Sequence, residues 1–221
     1  MNPSPDILAA IEKAASAHGV SVKLLTELAR YESDHFSPDV IAGTRNSPTG
    51  AKGLFQFTGP TAKDYNVNPL DPASASDGAA RYMRKLLDQF DGSEALAIAA
   101  WNQGPGSVAS AIKRAGSTAL DAVLHAMDSV SVKKTTPAGV PYDFPDAKQA
   151  AGLISRVLGV VNPFGATTAE AKVPASATAK ASAVAAAVPA SSSVGLSLTG
   201  LAVTGAALVA WYLLKRWLRD D

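Results

Sequence analysis

An unbroken apolar run from Ala95 to Trp101 is the feature that most limits how this chain can fold. Ser93 is a suitable N-cap, so the run is predicted to form one helix from Glu94 to about Asn102. A helix without a polar face must be covered on all sides, because any face left in water would expose apolar surface. The sequence therefore predicts a central buried helix with the rest of a domain packed around it.

Apolar residues recur at intervals of three and four along most of residues 1–162, the spacing of amphipathic helices. Residues 36–59 are instead rich in Gly, Pro, Ser and Thr and are predicted to form a long structured loop with a small hairpin. Asp71-Pro72 is interpreted as a break in the chain. The fold class is mostly α with a small loop/β region, and further helices are predicted at 5–18, 21–32, from Pro60, 74–91, 107–114, 118–128 and 146–161.

The chain changes character after residue 162. Residues 163–193 are mainly Ala, Ser, Thr, Pro and Val, and this composition predicts a linker. Residues 194–214 carry no charge and, at about 1.5 Å per residue, could cross a hydrocarbon core about 30 Å thick. The tail at 215–221 is basic and aromatic, as at a membrane interface. We predict a domain at 1–162, a linker, and one transmembrane helix; a buried soluble helix is the alternative for 194–214.

The composition excludes several functional classes. The net charge is +1, and no basic region suits a nucleic-acid partner. Cysteine is absent, which removes disulfides and thiolate nucleophiles. The three histidines lack a metal-ligand spacing, so we predict no metal and no cofactor. The N-terminus lacks the cationic start and apolar core of a secretory signal.

Glu32 is the strongest candidate for a catalytic residue. It ends the apolar helical stretch that begins near Leu24, and Ser33 follows it. Two blocks further along the chain, Gly53-Leu54-Phe55-Gln56 and Ala100-Trp101-Asn102, could bring backbone and side chains close to it. With Leu28, Phe55 and Trp101 as apolar walls, the carboxyl is expected to have a raised pKa. Such an acid could donate its proton to a glycosidic oxygen.

These three blocks resemble the lytic transglycosylase family of the lysozyme superfamily. That family shows Glu-Ser at a helix end, then Gly-Leu-Met-Gln, then Ala-Tyr-Asn, in the order and at about the intervals found here. The resemblance covers roughly residues 16–115 and, more weakly, 140–160. It implies a lysozyme-like fold.

The resemblance also implies residue roles. Glu32 would be the sole catalytic acid and base, and Ser33 would orient its carboxyl or touch the substrate. Gln56 and Asn102 would hydrogen-bond the sugar near the scissile bond, and Gly53 would allow a glycan to approach closely. Structural roles also remain open, with Asn102 as a helix cap and Gln56 as a plain loop residue.

Two positions depart from the family pattern. Trp101 replaces a tyrosine; it keeps an aromatic wall, or serves only as a core aromatic, and leaves open whether this position still hydrogen-bonds Glu32. A later family tyrosine is missing where Leu153 stands, a few residues before Arg156. Tyr142 lies nearby in the sequence and is the candidate replacement in the substrate site.

The implied activity is cleavage of the β-1,4 bond between N-acetylmuramic acid and N-acetylglucosamine, giving a 1,6-anhydro end. Two alternatives stay open. A hydrolytic muramidase would be favoured by a second carboxylate, such as Asp64 or Asp71, across the cleft. A non-catalytic peptidoglycan-binding membrane tether would explain the two departures.

The order of segments indicates where such a protein works. Basic residues after the span favour a cytoplasmic C-terminus and an external catalytic domain. Together with the absence of a signal, this layout suits a phage protein in a virion membrane or the host envelope, used for local wall penetration. Ala202, Ala206 and Ala210 form a small-residue stripe through which the membrane helix could associate with another helix.

Overall fold

The computed structural model of the chain describes residues 2–45, 47, 50–135 and 141–165, and of residues 134, 135 and 141–143 it describes the backbone alone. Within these ranges the chain forms nine α-helices and one antiparallel pair of strands. In chain order they are α1 (Pro5–His18), α2 (Val22–Glu32), α3 (Pro38–Ile41), α4 (Gly59–Asp64), α5 (Pro72–Gln89), α6 (Glu94–Gln103), α7 (Pro105–Ala115), α8 (Leu120–Asp128), β1 (Val132–Thr135), β2 (Pro141–Phe144) and α9 (Ala147–Leu158).

Helix α6 is the centre of the domain. Every residue from Leu96 to Gln103 is buried, and the helix packs against α5, α7 and α9. The Ser93 hydroxyl accepts a hydrogen bond from the Leu96 N–H at 3.3 Å and so caps its N-terminus. The predicted central helix is confirmed, because a segment without a polar face is stable only when it is surrounded.

Helix α5 begins two residues earlier than predicted. Asp71 is its N-cap, accepting a hydrogen bond from the Ala73 N–H at 3.1 Å, and Pro72 is the first helical residue. The predicted break at Asp71-Pro72 lies at the N-terminal boundary of α5, with Pro72 inside the helix. Proline suits the first turn of a helix, since its φ is already helical and the N–H that it lacks would have no partner there.

The strand pair after α8 was not predicted from the sequence. Strand β1 pairs with β2 in an antiparallel register that places Val132 opposite Phe144 and Lys134 opposite Tyr142. Val-Lys-Lys-Thr has no alternation of apolar and polar residues, so the two-residue period of a strand was not visible. The small hairpin predicted within 36–59 is confirmed by the paired backbones of Lys52 and Phe57.

Most of the predicted C-terminal organisation lies outside the described residues. This applies to the transmembrane helix at 194–214, the tail at 215–221 and the linker after residue 165. The start of the predicted linker contacts the domain, since the Phe164 ring lies edge-on to His125 with centroids 5.3 Å apart. None of the helices in the described ranges is long and apolar enough to cross a membrane.

Candidate active site

Glu32 is the last residue of α2, and its side chain is fully buried. It lies one turn after Leu28, so the helical period that buries Leu25 and Leu28 carries the carboxyl onto the same apolar face. Among the described residues it is the one acidic residue that is buried. A local sequence pattern thus removes this carboxyl from solvent.

Trp101 is a hydrogen-bond donor to Glu32. Its indole Nε1–H donates to the Glu32 Oε1 atom across 3.1 Å, in a buried environment. The tryptophan therefore donates from its ring nitrogen, so this position does hydrogen-bond the acid although it is not a tyrosine.

Trp101 is also part of an aromatic cluster. Its ring lies edge-on to Phe55 and Phe57, with centroid distances of 6.4 and 6.3 Å, and is tilted against Tyr82 at 5.2 Å. Edge-to-face pairs at these distances are favourable and hold ring orientations. The cluster therefore fixes the direction in which the indole N–H points.

Ser33 organises the backbone after the acid. Its hydroxyl donates to the Ala29 carbonyl at 2.7 Å and accepts from the Phe36 N–H at 3.0 Å. Asp34, His35 and Phe36 all have positive φ, at 55°, 63° and 61°. Left-handed residues other than glycine cost free energy and persist where surrounding contacts hold them. Ser33 thus holds the turn that ends α2 immediately after Glu32.

Arg45 ties that turn to the following loop. Its guanidinium lies 2.7 Å from a carboxylate oxygen of Asp34 and 2.7 Å from one of Asp39. The pKa of Asp39 is held below its usual range mainly by the hydrogen bond from Ser37 and next by the hydrogen bond from Arg45. Asp34, the acidic residue nearest Glu32 in the sequence, therefore takes part in an ion pair of the loop.

In the turn at 53–56, glycine is needed at position 53 for a reason other than the predicted one. Gly53 has φ of 76°, and a Cβ atom there would lie 1.7 Å from the Pro69 carbonyl oxygen. The close approach that needs glycine is made by the chain itself, and no room for a glycan is left at that point.

Gln56 is buried in the same turn, with a positive φ of 49°. Its Nε2 donates to the Gly53 carbonyl at 2.9 Å, while its Oε1 has no hydrogen-bond partner in the described part of the chain. Gln56 and Trp101 line one small cleft, together with Phe55, Phe57, Thr58, Thr61 and Tyr82. The turn therefore presents an acceptor beside the aromatic wall.

Asn102 is buried next to Trp101 and joins a group of amides that the sequence analysis did not single out. Its Oδ1 accepts from Gln103 Nε2, which also donates to Gln149 Oε1. Gln149 lies on α9, whose inward face is otherwise apolar. A glutamine in such a stripe is the only sequence signal that could have indicated this contact.

Tyr142 lies in β2, opposite Lys134 of β1, and its side chain is outside the described part of the structure. Its place in the substrate site remains a prediction. Leu153, where the family tyrosine is missing, is a buried core residue. Arg156 is on the same helix, with its guanidinium 5.4 Å from the centre of the Tyr31 ring.

The structure thus brings the three sequence blocks together. Trp101 contacts Glu32 directly and shares a cleft with Gln56. Chemically, the group offers a desolvated carboxyl, an indole donor and amide groups with free hydrogen-bonding capacity, a set suited to proton transfer on a neutral polar ligand.

The chain is similar to known proteins over about half of its length. The family model of the transglycosylase SLT domain matches residues 9–123. The chain is 40% identical over 103 residues to "Peptidoglycan transglycosylase gp16" of Escherichia phage T7, covering 43% of this chain and 7% of the phage protein. It is 34% identical over 127 residues to "Membrane-bound lytic murein transglycosylase F" of Shewanella pealeana, covering 54% of this chain and 25% of that protein.

The chain spans a quarter or less of the length of these two relatives. The family match, by contrast, covers just over half of the chain and includes α2, the turn at 53–56 and α6, which carry the candidate catalytic group. On this match the chain belongs to the transglycosylase SLT domain family.

Proposed function

We propose that this chain is a peptidoglycan lytic transglycosylase that cleaves the β-1,4 bond between N-acetylmuramic acid and N-acetylglucosamine. The observation that carries the proposal is the complete burial of the Glu32 carboxyl, held by the Trp101 indole. Burial disfavours the ionised form of a carboxyl, so Glu32 can keep its proton until a glycosidic oxygen reaches it. The names of both relatives, a peptidoglycan transglycosylase and a lytic murein transglycosylase, support a transglycosylase activity.

A single carboxyl is sufficient for the proposed reaction. Glu32 gives its proton to the glycosidic oxygen as the bond from C1 breaks, and the N-acetylglucosamine leaves with a free hydroxyl. The acetamido carbonyl of the muramic sugar bonds to C1 and carries the positive charge. The Glu32 carboxylate then removes the proton of the C6 hydroxyl, whose oxygen displaces the acetamido group from C1. The acid is regenerated and no water is consumed.

The other candidate carboxyl groups differ from Glu32 in their surroundings. Two-carboxylate glycosidases place the groups about 5–9.5 Å apart across the scissile bond. Here Asp34 pairs with Arg45, Asp71 caps α5 in an exposed position, and Asp64 is exposed at the end of α4. Among the described residues, Glu32 is the only buried acid.

The product distinguishes the candidate activities. We expect the full chain, in detergent, to digest purified sacculi to 1,6-anhydro-muropeptides, without incorporating oxygen from heavy-oxygen water. Mass spectrometry of the soluble products measures both. Reducing ends that carry the heavy oxygen would identify a hydrolytic muramidase. Binding to sacculi with no soluble product would identify a tether.

Trp101→Phe tests the role of the indole N–H. The change keeps an aromatic ring but removes the donor to Glu32, which stabilises the carboxylate formed after the first proton transfer. Hydrogen bonds to charged groups contribute about 1.5–3 kcal/mol, so we expect kcat to fall by about tenfold or more. The alkaline limb of the kcat/KM profile should move to higher pH, because the ionised acid has lost a partner.

The pH profile separates this role from packing. A loss of ring contacts with Phe55, Phe57 and Tyr82 would lower the melting temperature and the activity without moving the limb. An unmoved limb in a folded Trp101→Phe variant would show that the tryptophan acts only as a core aromatic.

The proposed setting is a phage protein that opens the wall locally while anchored in a membrane through residues 194–214. The uncharged sequence of that segment and the similarity to a protein of phage T7 support this setting. We expect the full chain to float with phospholipid vesicles after an alkaline carbonate wash and to be present in purified virions. Release of the chain by the wash, or its absence from particles, would contradict the anchored, virion-associated form.

A further inference from the structure

The amide orientation of Gln103 is determined by the backbone. Its Oε1 accepts a hydrogen bond from the Asp146 N–H at 2.8 Å. A backbone N–H can only donate, so the oxygen of the Gln103 amide has to face it, and the usual ambiguity between amide oxygen and nitrogen is removed. Asp146 is itself held as the N-cap of α9, where its carboxylate accepts from the Gln149 N–H at 2.9 Å.

The orientation of Gln103 then determines that of two neighbours. Its Nε2 faces two oxygens, Oδ1 of Asn102 at 2.5 Å and Oε1 of Gln149 at 3.1 Å. Because both neighbours turn their oxygens toward the same nitrogen, each presents its own NH₂ group on the other side of its amide. Asn102 and Gln149 are therefore both fixed as donors toward their surroundings.

These two NH₂ groups have no partner within the described part of the chain. Asn102 Nδ2 and Gln149 Nε2 are both buried atoms without a hydrogen bond. The residues themselves are 0% and 6% exposed. Buried donors without partners are costly and uncommon in folded proteins, so both call for an acceptor from outside the described part of the chain.

The proposed function supplies the class of ligand. Asn102 follows Trp101, whose indole N–H contacts the proposed acid Glu32. Both donors are neutral, which suits a neutral acceptor such as a sugar hydroxyl or an acetamido carbonyl better than an anion, for which charged donors are stronger.

We propose that Asn102 and Gln149 form a donor pair that binds an acceptor oxygen of the N-acetylated glycan, and that Gln103 is a positioning residue that keeps both NH₂ groups directed at it. This inference rests on the proposed function for the identity of the glycan. It adds two residues, Gln103 and Gln149, to the proposed site and assigns Asn102 one hydrogen-bonding role, that of a donor.

Gln103→Glu is the sharpest test, because it should reverse the polarity of the pair without removing the network. One oxygen of the introduced carboxylate can still accept from the Asp146 N–H. The other replaces the nitrogen and attracts the NH₂ groups of Asn102 and Gln149, so both amides turn and present oxygens to the glycan. We expect KM for sacculi to rise by about tenfold, the effect of losing two neutral hydrogen bonds, with a much smaller change in kcat.

Acid pH provides a readout that a purely structural role would not move. When the introduced carboxylate is protonated its single O–H can donate to one of the two amide oxygens, so the original orientation of one amide is restored. The ratio of the KM of Gln103→Glu to that of the unchanged chain should therefore fall as the pH is lowered.

Two further variants complete the test. Gln149→Glu keeps the oxygen that Gln103 binds and replaces only the NH₂ donor, so we expect a severalfold rise in KM even if Gln103→Glu folds poorly. Asn68→Asp is the matched control: it makes the same amide-to-acid change at an exposed site, where the oxygen accepts from the Leu70 N–H at 3.2 Å. Its KM should match that of the unchanged chain.

The result that overturns the inference is an unchanged KM in folded Gln103→Glu and Gln149→Glu. A fall in kcat at constant KM in both would also overturn it. Failure of the proposed function would be detected separately, because the chain without substitutions would then give no product. In that case, binding of sacculi by the Glu32→Gln chain, with and without Gln149→Glu, still measures whether the donor pair contributes to affinity.

Discussion

Replacing Glu32 by glutamine is expected to lower the rate of peptidoglycan cleavage by a factor of about 10³ or more. A positioned general acid or base contributes roughly 10² to 10⁴ in rate, and Glu32 is proposed to act in both steps, first as acid and then as base. Glutamine has nearly the same shape and keeps an oxygen that can accept from the Trp101 indole. The loss should therefore fall on the chemistry, with the fold and the glycan binding preserved.

The measurement is the release of soluble anhydro-muropeptides from purified sacculi, followed over time. Glu12→Gln, on the exposed side of α1, makes the same chemical change away from the site and should keep full activity. Glycan binding by Glu32→Gln should equal that of the unchanged chain. A Glu32→Gln variant that keeps more than about a tenth of the activity would exclude a sole acid, since even the low end of the range is about a hundredfold.

Gly53→Ala is expected to lower the free energy of unfolding by about 3 kcal/mol or more. A residue other than glycine in the left-handed region costs about 1–2 kcal/mol, and Gly53 has φ of 76°. The added Cβ would also lie 1.7 Å from the Pro69 carbonyl oxygen, a backbone atom that cannot move aside without shifting its loop. The turn that holds Phe55 and Gln56 should shift with it, so activity should fall as well.

Thermal unfolding of matched variants checks this result. For a domain of this size about 1 kcal/mol corresponds to 2–4 °C, so Gly53→Ala should lower the melting temperature by roughly 6 °C or more. Gly19→Ala is the control, because Gly19 has a similar φ of 61° but no atom within 4 Å of the new Cβ. Equal shifts in the two variants would mean that backbone conformation alone, and not the contact with Pro69, makes glycine necessary.

The sequence was sufficient to predict the features that depend on local periodicity. The position of Glu32 on the face that carries Leu25 and Leu28 follows from the helical repeat, and the structure buries it there. The central place of α6 follows from its lack of a polar side. The start of α6 was predicted from Ser93, because a cap and the segment it serves are neighbours in the chain.

Features that depend on contacts between distant residues were not predictable in the same way. Gln103 and Gln149 are 46 positions apart, and nothing in either segment indicates that their amides meet. The packing of α6 against α9 brings them together and, with the Asp146 N–H, determines which atom of Asn102 is presented. The need for glycine at position 53 was likewise attributed to a ligand. The carbonyl oxygen that excludes a Cβ atom there belongs to Pro69, in another loop.

Trp101 shows most directly which features depend on local sequence and which depend on tertiary packing. The sequence placed it on a buried helix beside the other site residues but could not determine whether it would bond the acid, since that depends on the rotation of one ring. Phe55, Phe57 and Tyr82, from two other segments of the chain, determine that rotation by packing, and the indole N–H then points at Glu32. Periodicity determines which side of a helix is buried, because it is a property of consecutive residues. The direction of a buried polar group is decided only when the neighbours that surround it in space have been assembled.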